Sequence, residues 1–293
     1  MAESNQYNIQ WFPGHMAKAK REISQMMKLV DIVIELKDAR IPYSSTNPMI
    51  NEIINNKPRL ILLNKSDMAD KNITKLWIDY YKKNNIIALD IDSITGYNIK
   101  NIIPYAKIVL ADEFKRRESK GIKKTSIRAM ILGIPNVGKS TLINKLAKRK
   151  AVNVGDKPGV TKTQSWIKIS NDLELLDTPG ILWPKFEDPT VGLKLAMCGS
   201  IKDDILDLND ISVKSLDYLK ENYPNNLINR YNLEDISIDS YKLLDVIAVK
   251  RGCILKGGIP DLERVEKLIM NELRDLKIGR MSYEKPEWGN KSL

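Results

Sequence analysis

The sequence predicts an α/β domain with a largely parallel sheet and flanking helices, followed by a smaller all-α domain. In the first part of the chain, short aliphatic or β-branched runs alternate with helix-like stretches. One of these runs leads directly into a glycine loop that opens a helix. After residue 183 the strand-like runs stop, whereas helical patterning continues to about residue 280.

Six runs predict strands because they are short, aliphatic or β-branched, and end in turn or ligand-type residues. They span residues 30–36, 59–63, 86–91, 127–132, 166–169 and 173–176. Helix-like stretches lie between several of them, at residues 73–84, 98–110 and 139–147. This alternation is typical of parallel strands, so a ligand is expected at their carboxyl ends.

Two polar stretches predict the domain boundaries. Residues 112–125 are charge-dense and lack apolar periodicity, which indicates a solvated connection before the strand at 127–132. Pro184 and Pro189 punctuate a second polar stretch. We therefore predict an α/β domain at residues 1–183, a connector at 184–204 and an α-helical domain at 205–293.

Composition narrows the class of protein. The 293 residues carry a formal charge of +10, which favours a polyanionic partner, nucleic acid above all, although a Lys-rich surface also serves solubility alone. Cys198 and Cys253 lack the spacing of a zinc site or a disulfide framework, which indicates a reducing compartment. The apolar stretches are too short to cross a bilayer. We expect a cytoplasmic monomer without a membrane partner.

Residues 133–140 (GIPNVGKS) have the strand, loop and helix context of a phosphate-binding P-loop. The glycines let backbone amides approach phosphate oxygens, Lys139 is expected to reach the β and γ phosphates, and Ser140 to ligate Mg²⁺. The residues of this segment assigned to the nucleotide are Asn136, Val137, Gly138, Lys139, Ser140 and Thr141.

The NKSD segment at residues 64–67 follows a strand-like run and predicts selection of guanine. Asp67 can accept hydrogen bonds from guanine N1 and N2, Asn64 can bond near the base edge, and the Lys65 stem can lie along the ring. Adenine lacks the matching donors, so GTP and GDP are the expected ligands. NKSD by itself would more often be a turn that starts a helix.

Two further segments complete the predicted magnesium site. In DTPG at residues 177–180, Asp177 is expected to hold the magnesium shell, and the Gly180 amide to face the γ phosphate. In KPGVTKT at residues 157–163, the hydroxyl of Thr161 could complete the coordination, and Thr163 is the alternative.

These segments together resemble the five motifs of Ras-like GTPases in a circularly permuted order, with the fourth and fifth motifs before the first three. The fifth is the least faithful, because IDSITG at residues 91–96 replaces the usual Ser-Ala pair. Asp92 and Ser93 are its base contacts by resemblance. Permutation also connects DTPG directly to the C-terminal domain, so nucleotide state could reposition that domain.

The chain also resembles the ribosome biogenesis GTPase A family over nearly its whole length. The matching segments are WFPGHMAKAKREI at 11–23, GLKLAMCGSIKDD at 192–204 and RGCILKGGIPDLERV at 251–265, besides the five motifs. The resemblance implies a GTPase acting in late assembly of the large (50S) ribosomal subunit, with ribosomal RNA and ribosomal proteins as partners.

The residues offer two candidates for hydrolysis. Ile181 stands where Ras-like enzymes usually place the glutamine that orients water, and an aliphatic side chain cannot do so. His15, the one histidine of the chain, could serve if its segment reaches the γ phosphate, or it could instead bind a backbone group or an RNA phosphate. Asn136 matches the position that holds K⁺ in potassium-stimulated GTPases, or it only tolerates unusual loop dihedrals.

Two basic clusters predict a split RNA-binding surface. Each cluster alone is also typical of a solvated helix face. The residues are Lys18, Lys20, Arg21, Lys250, Arg251, Lys256 and Arg264.

Three functions fit these features. The first is a GTPase in large-subunit assembly, stimulated by the assembled RNA. The second is a GTP-regulated RNA- or protein-binding module with negligible hydrolysis, which Ile181 allows. The third is a GTPase that assists tRNA modification.

Overall fold

A computed structural model describes residues 21, 23–54, 57–122, 126–152, 166–176, 188–201 and 207–286. These residues divide into two compact units. The sheet unit contains the described residues up to 176 together with 282–286, and the helical unit contains residues 188–281. Residues 188–201, which lie in the predicted connector, group with the helical unit. Residues 282–286, which lie in the predicted α-helical domain, group with the sheet unit.

The predicted parallel sheet is confirmed within the described residues. Its strands are β1 (Ile32–Asp38), β2 (Arg59–Asn64), β3 (Ile87–Asp90), β4 (Ile127–Gly133), β5 (Trp166–Lys168) and β6 (Leu173–Leu176). They lie in the order β3-β2-β1-β4-β6-β5, and every neighbouring pair is parallel except β5 with β6. All residues of β1 are buried, as expected for a central strand of a parallel sheet.

The sheet unit's helices follow the strands along the chain. They are α1 (Pro48–Ile54), α2 (Lys71–Lys83), α3 (Ile102–Val109), α4 (Ala111–Ser119) and α5 (Lys139–Ala147). The carboxylate of Asp70 caps α2 by accepting hydrogen bonds from the amides of Asn72 and Ile73 at 2.8 and 3.2 Å. Trp77 of α2 is buried in a cluster with Leu63 of β2. Its truncation to Ala would cost about 3 to 5 kcal/mol, so α2 is firmly seated beside the NKSD turn.

The charge-dense segment predicted as a solvated connection is in fact largely the helix α4. Its first turn carries Asp112 and Glu113, which favour the positive end of a helix dipole. Glu113 also accepts a hydrogen bond from Arg117 at 3.0 Å, one turn later. Helix α4 buries no residue, so the absence of apolar periodicity reflected exposure and not a lack of helical structure.

The described residues of the helical unit form short helices, most of which have an aspartate cap. They are α6 (Pro189–Met197), α7 (Leu208–Asn222), α8 (Pro224–Tyr231), α9 (Ser240–Lys250) and α10 (Leu262–Arg274). Helix α10 has one apolar face, where Val265, Ile269 and Leu273 are buried. Across the part of the chain that the structure describes, none of the helices has the length and apolar character needed to span a bilayer.

The segment after α10 returns to the sheet unit. The amide of Tyr283 donates to the carbonyl oxygen of Arg40 at 2.8 Å, beside the end of β1. The indole Nε1 of Trp77 donates to the carbonyl oxygen of Glu284 at 3.1 Å. This segment therefore fixes the loop after β1 against helix α2.

Candidate nucleotide-binding site

The parallel sheet brings the sequence motifs to one edge. Asp38 at the end of β1 is in register with Asn64 at the end of β2. Leu36 of β1 is in register with Gly133, the last residue of β4, and Leu63 with Asp90, the last residue of β3. The NKSD, IDSITG and GIPNVGKS segments all begin at the carboxyl ends of these strands, where open parallel sheets bind ligands.

The P-loop joins β4 to α5, as its sequence predicts. A Cβ added to Gly133 would lie 2.6 Å from the carbonyl oxygen of Leu36, so only glycine fits there. Gly138 has φ +101°, and a Cβ there would lie closer than 3.0 Å to Asn64 Nδ2. Asn136 also adopts the left-handed region, with φ 57°. The backbone thus takes the tight course on which phosphate binding by amides depends.

The first turn of α5 carries the predicted phosphate and metal ligands. Lys139 Nζ lies 3.4 Å from the carbonyl oxygen of Gly133 and 3.5 Å from that of Ile134, so the ammonium group folds back over the loop. Ser140 and Thr141 follow it and are partly exposed. A hydroxyl at a helix N-terminus, accessible to solvent, is a suitable oxygen ligand for Mg²⁺.

Asn64 joins three loops. Its Nδ2 donates to the carbonyl oxygen of Val137 at 2.7 Å, and its Oδ1 accepts from the amide and the hydroxyl of Ser93 at 3.0 and 2.8 Å. The residue is 2% exposed. We predicted a contact of Asn64 with the base edge, whereas these bonds connect the NKSD segment to the P-loop and to the IDSITG segment.

The other NKSD residues form a tight turn. Lys65 adopts φ 59°, and the amide of Ser66 donates to the carbonyl oxygen of Ile91 at 3.1 Å. Asp67 is half-buried in the same turn. The turn is therefore hydrogen-bonded to the end of the β3 segment, and Asp67 lies on its solvent-accessible side.

Asp38 is a site residue that the sequence analysis missed. Its carboxylate accepts a bidentate pair of bonds from Arg40 at 2.9 and 2.7 Å, and Lys65 Nζ lies 3.1 Å from its Oδ2. Burial would raise the pKa of Asp38, but the charges of Arg40 and Lys65 and the hydrogen bonds from Arg40 hold it well below its usual range. The available signal was an acidic residue just after a predicted parallel strand.

The IDSITG segment is ordered by its own aspartate. The carboxylate of Asp92 accepts from the amides of Ile94 and Thr95 at 2.7 and 3.2 Å, and from the Thr95 hydroxyl. Lys145 of α5 donates to the carbonyl oxygen of Ile94 at 2.7 Å. Asp92 and Ser93 are both buried. Their side-chain bonds shape the loop.

Several predicted residues lie outside the described part of the chain. They are His15, Lys18, Lys20, Thr161, Thr163, Asp177, Gly180 and Ile181. Within the described residues, no group of three or more His, Cys, Asp or Glu side chains could hold a metal ion. Of the predicted magnesium ligands, Ser140 is the one that lies among the described residues.

The predicted RNA-binding residues differ in their surroundings. In the helical unit, Lys250 donates to the carbonyl oxygen of Asn232 at 2.6 Å, and Arg251 forms a 2.9 Å ion pair with Glu272. The described members of both clusters are all exposed, namely Arg21 of the sheet unit and Lys250, Arg251, Lys256 and Arg264 of the helical unit. Arg251 thus has a structural partner that its position in a basic cluster did not reveal.

The chain resembles known GTPases along nearly all its length. A family described as 50S ribosome-binding GTPase matches residues 128–240. Ribosome biogenesis GTPase A of Priestia megaterium is 55% identical over 279 residues, covering 95% of this chain and 97% of the relative. Its namesake in Thermotoga maritima is 33% identical over 285 residues, covering 95% of each chain.

Two solved structures share the fold. A GDP-bound YlqF has a TM-score of 0.65 at 29% identity and covers 91% of this chain and 100% of its own. A GNP-bound YlqF from T. maritima has a TM-score of 0.63 at 30% identity, with coverages of 92% and 99%. Both structures were solved with a nucleotide bound, at a fold that this chain reproduces.

Proposed function

This chain belongs to the ribosome biogenesis GTPase A family, and we propose that it acts in late maturation of the large ribosomal subunit and binds ribosomal RNA in a nucleotide-dependent way. Membership makes it a GTPase that binds guanine nucleotides and takes part in ribosome biogenesis. The description of the matched family, 50S ribosome-binding GTPase, supports the large subunit as the target. The formal charge of +10 supports an RNA partner.

The observation that carries the nucleotide-binding part of this proposal is the hydrogen bond between the NKSD segment and the P-loop. Asn64 Nδ2 donates to the carbonyl oxygen of Val137 at 2.7 Å, so a base-selecting segment and a phosphate-binding segment share one site. Asp67 is the last residue of the NKSD segment and selects guanine. GTP and GDP are accordingly the ligands.

The chain's own residues perform most of phosphoryl transfer by holding the nucleotide in place. Lys139 binds the β and γ phosphates, and the amide of Gly180 donates to the γ phosphate. Ser140, Thr161 and Asp177 would hold Mg²⁺, which would supply positive charge where negative charge develops on the phosphate oxygens.

His15 replaces the missing glutamine in this mechanism, and Asn136 holds a monovalent cation near the phosphates. His15 orients the attacking water once docking on the assembling subunit brings the N-terminal segment over the nucleotide. Asn136, partly exposed inside the P-loop, offers an amide oxygen to K⁺. Stimulation by the large subunit follows, because the histidine is positioned only in the docked state.

The RNA-facing residues are those of the two basic clusters. Lys256 and Arg264 are exposed in the helical unit and approach phosphates from the turn between α9 and α10. Arg251 contributes mainly to the position of this turn through Glu272. Lys18, Lys20, Arg21 and Lys250 complete the set.

Steady-state GTP turnover, measured with and without immature large subunits, tests the function. Strong stimulation by large subunits, and none by tRNA, is expected. A GTP-regulated binding module would bind the subunits in the presence of a nonhydrolysable GTP analogue without turnover. Preferential activation by tRNA would instead indicate assistance to tRNA modification.

The role of K⁺ has its own test. Hydrolysis is measured in potassium and in sodium at constant ionic strength, for the natural chain and for Asn136→Ala. We expect slower hydrolysis in sodium, and no difference between the salts in the variant. Equal rates in the two salts for the natural chain would rule out the potassium role.

A further inference from the structure

We propose that Asp38 is a positioning residue of the guanine site, which holds the ammonium group of Lys65 so that the Lys65 stem lies along the base. Asp38 is the last residue of the strand β1 and belongs to none of the five GTPase motifs. The inference rests on the assignment of Lys65 to the base, and the experiment below separates the two.

The contact between the two residues is direct. Lys65 Nζ lies 3.1 Å from Asp38 Oδ2, and the Lys65 side chain is 23% exposed while that of Asp38 is fully buried. The segments are also joined through the backbone, because the amide of Ala39 donates to the carbonyl oxygen of Asn64 at 2.8 Å. Asp38 therefore meets the NKSD turn at a fixed distance.

Asp38 is itself held rigidly. Arg40 donates to its two carboxylate oxygens through Nε and Nη2, and through its backbone amide at 3.0 Å. The amide of Asp38 donates to the hydroxyl of Ser45 at 3.1 Å. Because these bonds fix the orientation of the carboxylate, its Oδ2 has a fixed position beside Lys65 Nζ.

A fixed ion-pair partner reduces the ordering cost of a lysine more than that of a short side chain. The Lys65 stem has four rotatable bonds, and ordering it on a ligand costs conformational entropy when nothing else holds it. An ion pair formed in advance with Asp38 removes part of that cost and selects the rotamers in which the stem lies over the NKSD turn. The main consequence is slower release of the nucleotide, because most differences in affinity at one site lie in the off-rate.

A double-mutant cycle tests the proposal. Asp38→Asn removes the charge, Lys65→Met keeps an apolar stem without the ammonium group, and the third variant combines both. Glu35→Gln is the matched control, because Glu35 is a buried carboxylate on the same strand that pairs with Lys37 and Arg59. Release of fluorescent GDP is measured by stopped flow, together with the thermal unfolding midpoint of each variant.

Each single variant is expected to accelerate GDP release by roughly tenfold, the factor that corresponds to about 1.4 kcal/mol. The double variant should release GDP no faster than either single variant, because both substitutions remove the same contact. Glu35→Gln should lower the unfolding midpoint without changing release. Multiplying effects in the double variant would overturn the positioning role, since Asp38 would then act independently of Lys65.

Two additional variants keep the test decisive. Lys65→Arg retains a cation for Asp38 and should keep slow GDP release, which supports the proposal even if Asp38→Asn does not fold. GDP release from Lys65→Arg as rapid as that from Lys65→Met would overturn the proposal. Unchanged release in Lys65→Ala would show that Lys65 does not touch the base, and the base-site assignment itself would fail. Faster release in Lys65→Ala with normal release in Asp38→Asn would overturn only the role of Asp38.

Discussion

The side chain of Asn64 donates a hydrogen bond to the carbonyl oxygen of Val137, with 2.7 Å between the nitrogen and the oxygen. This contact crosses from the end of β2 to the P-loop, and the other end of the same amide holds Ser93. The NKSD segment, the P-loop and the IDSITG segment are therefore joined by the buried side chain of Asn64. Changes on either side of this side chain are expected to act on nucleotide binding together.

Gly138→Ala is expected to abolish high-affinity GDP binding. The added Cβ would collide with Asn64 Nδ2 and displace the Asn64 side chain, and φ +101° is strained for alanine in addition. The matched control is Gly121→Ala, which has a similarly positive φ of +74° but no atom within 4 Å of the added Cβ. Calorimetric titration with GDP should show normal affinity in the control, and equal losses in both variants would mean that backbone strain alone matters.

Asp67→Asn is expected to weaken the preference for guanine over adenine nucleotides. The neutral amide presents a donor where guanine N1 and N2 require an acceptor, so GTP affinity falls while the weak ATP affinity stays. Competition of GTP and ATP against fluorescent GDP measures the preference. ATP competing as well as GTP in the natural chain would remove the base-selecting role of the NKSD segment.

His15→Ala is expected to suppress subunit-stimulated hydrolysis far more than GTP affinity. An imidazole that orients water acts in the transition state, so its loss lowers kcat and leaves ground-state binding nearly unchanged. Turnover is measured at saturating large subunits, with GTP affinity determined separately. If the variant binds subunits more weakly yet turns over normally once saturated, His15 is a docking residue.

Glu272→Gln is expected to destabilise the helical unit at neutral pH and to have little effect in acid. Glu272 pairs with Arg230 and Arg251; burial would raise its pKa, but the bonds and charges of its partners lower it below the ordinary value of 4.5. A depressed folded-state pKa adds stability that is complete above pH 4.5 and disappears as the pH falls through the folded value. Because both arginines are partly exposed to solvent, the loss is smaller than the roughly 3 to 5 kcal/mol typical of breaking a fully buried pair.

Urea unfolding from pH 7 to pH 3 measures this effect. The difference in the free energy of unfolding between Glu272→Gln and the natural chain should become smaller as the pH falls below 4.5. Glu263→Gln is the control, because Glu263 forms an exposed pair with Lys267 one helical turn away and contributes little to stability. A difference that does not depend on pH would exclude ionisation of Glu272 as its source.

The sequence predicted the sheet well because its central strands are buried on both faces. Continuous apolar runs such as Ile61 to Leu63 are typical of the centre of a parallel sheet, and the motifs follow directly at the strand ends. Helix α4 escaped prediction because its stability comes from ion pairs such as that of Arg117 with Glu113, which leave no apolar pattern.

The missed parts of the site share a different cause. Asp38 meets Lys65 across neighbouring strands, and Glu284 meets Ser44 across a sequence separation of 240 residues. Neither contact has a local signature, because parallel pairing and chain return are set by the packed fold. Motif residues that bind phosphate are recognisable from the sequence, whereas the residues that hold them in place are not.

Glu284→Ala is expected to destabilise the sheet unit and to loosen the loop after β1. The Glu284 carboxylate accepts hydrogen bonds from the amides of Tyr43 and Ser44 at 2.7 and 3.1 Å and from the Ser44 hydroxyl, and it is 3% exposed. Its removal leaves buried donors unsatisfied, which costs about 1 to 3 kcal/mol for each group.

Hydrogen exchange measures which backbone amides lose protection in this variant. Amide protection at Tyr43 and Ser44 should drop in Glu284→Ala, and the thermal midpoint should fall by several degrees. Glu284→Gln should recover only part of the protection, because one of its two oxygens becomes a donor group. Glu234→Ala, at an exposed position of the helical unit, is the control and should leave both quantities unchanged. Normal protection at Ser44 in Glu284→Ala would show that the Glu284 carboxylate does not hold this loop.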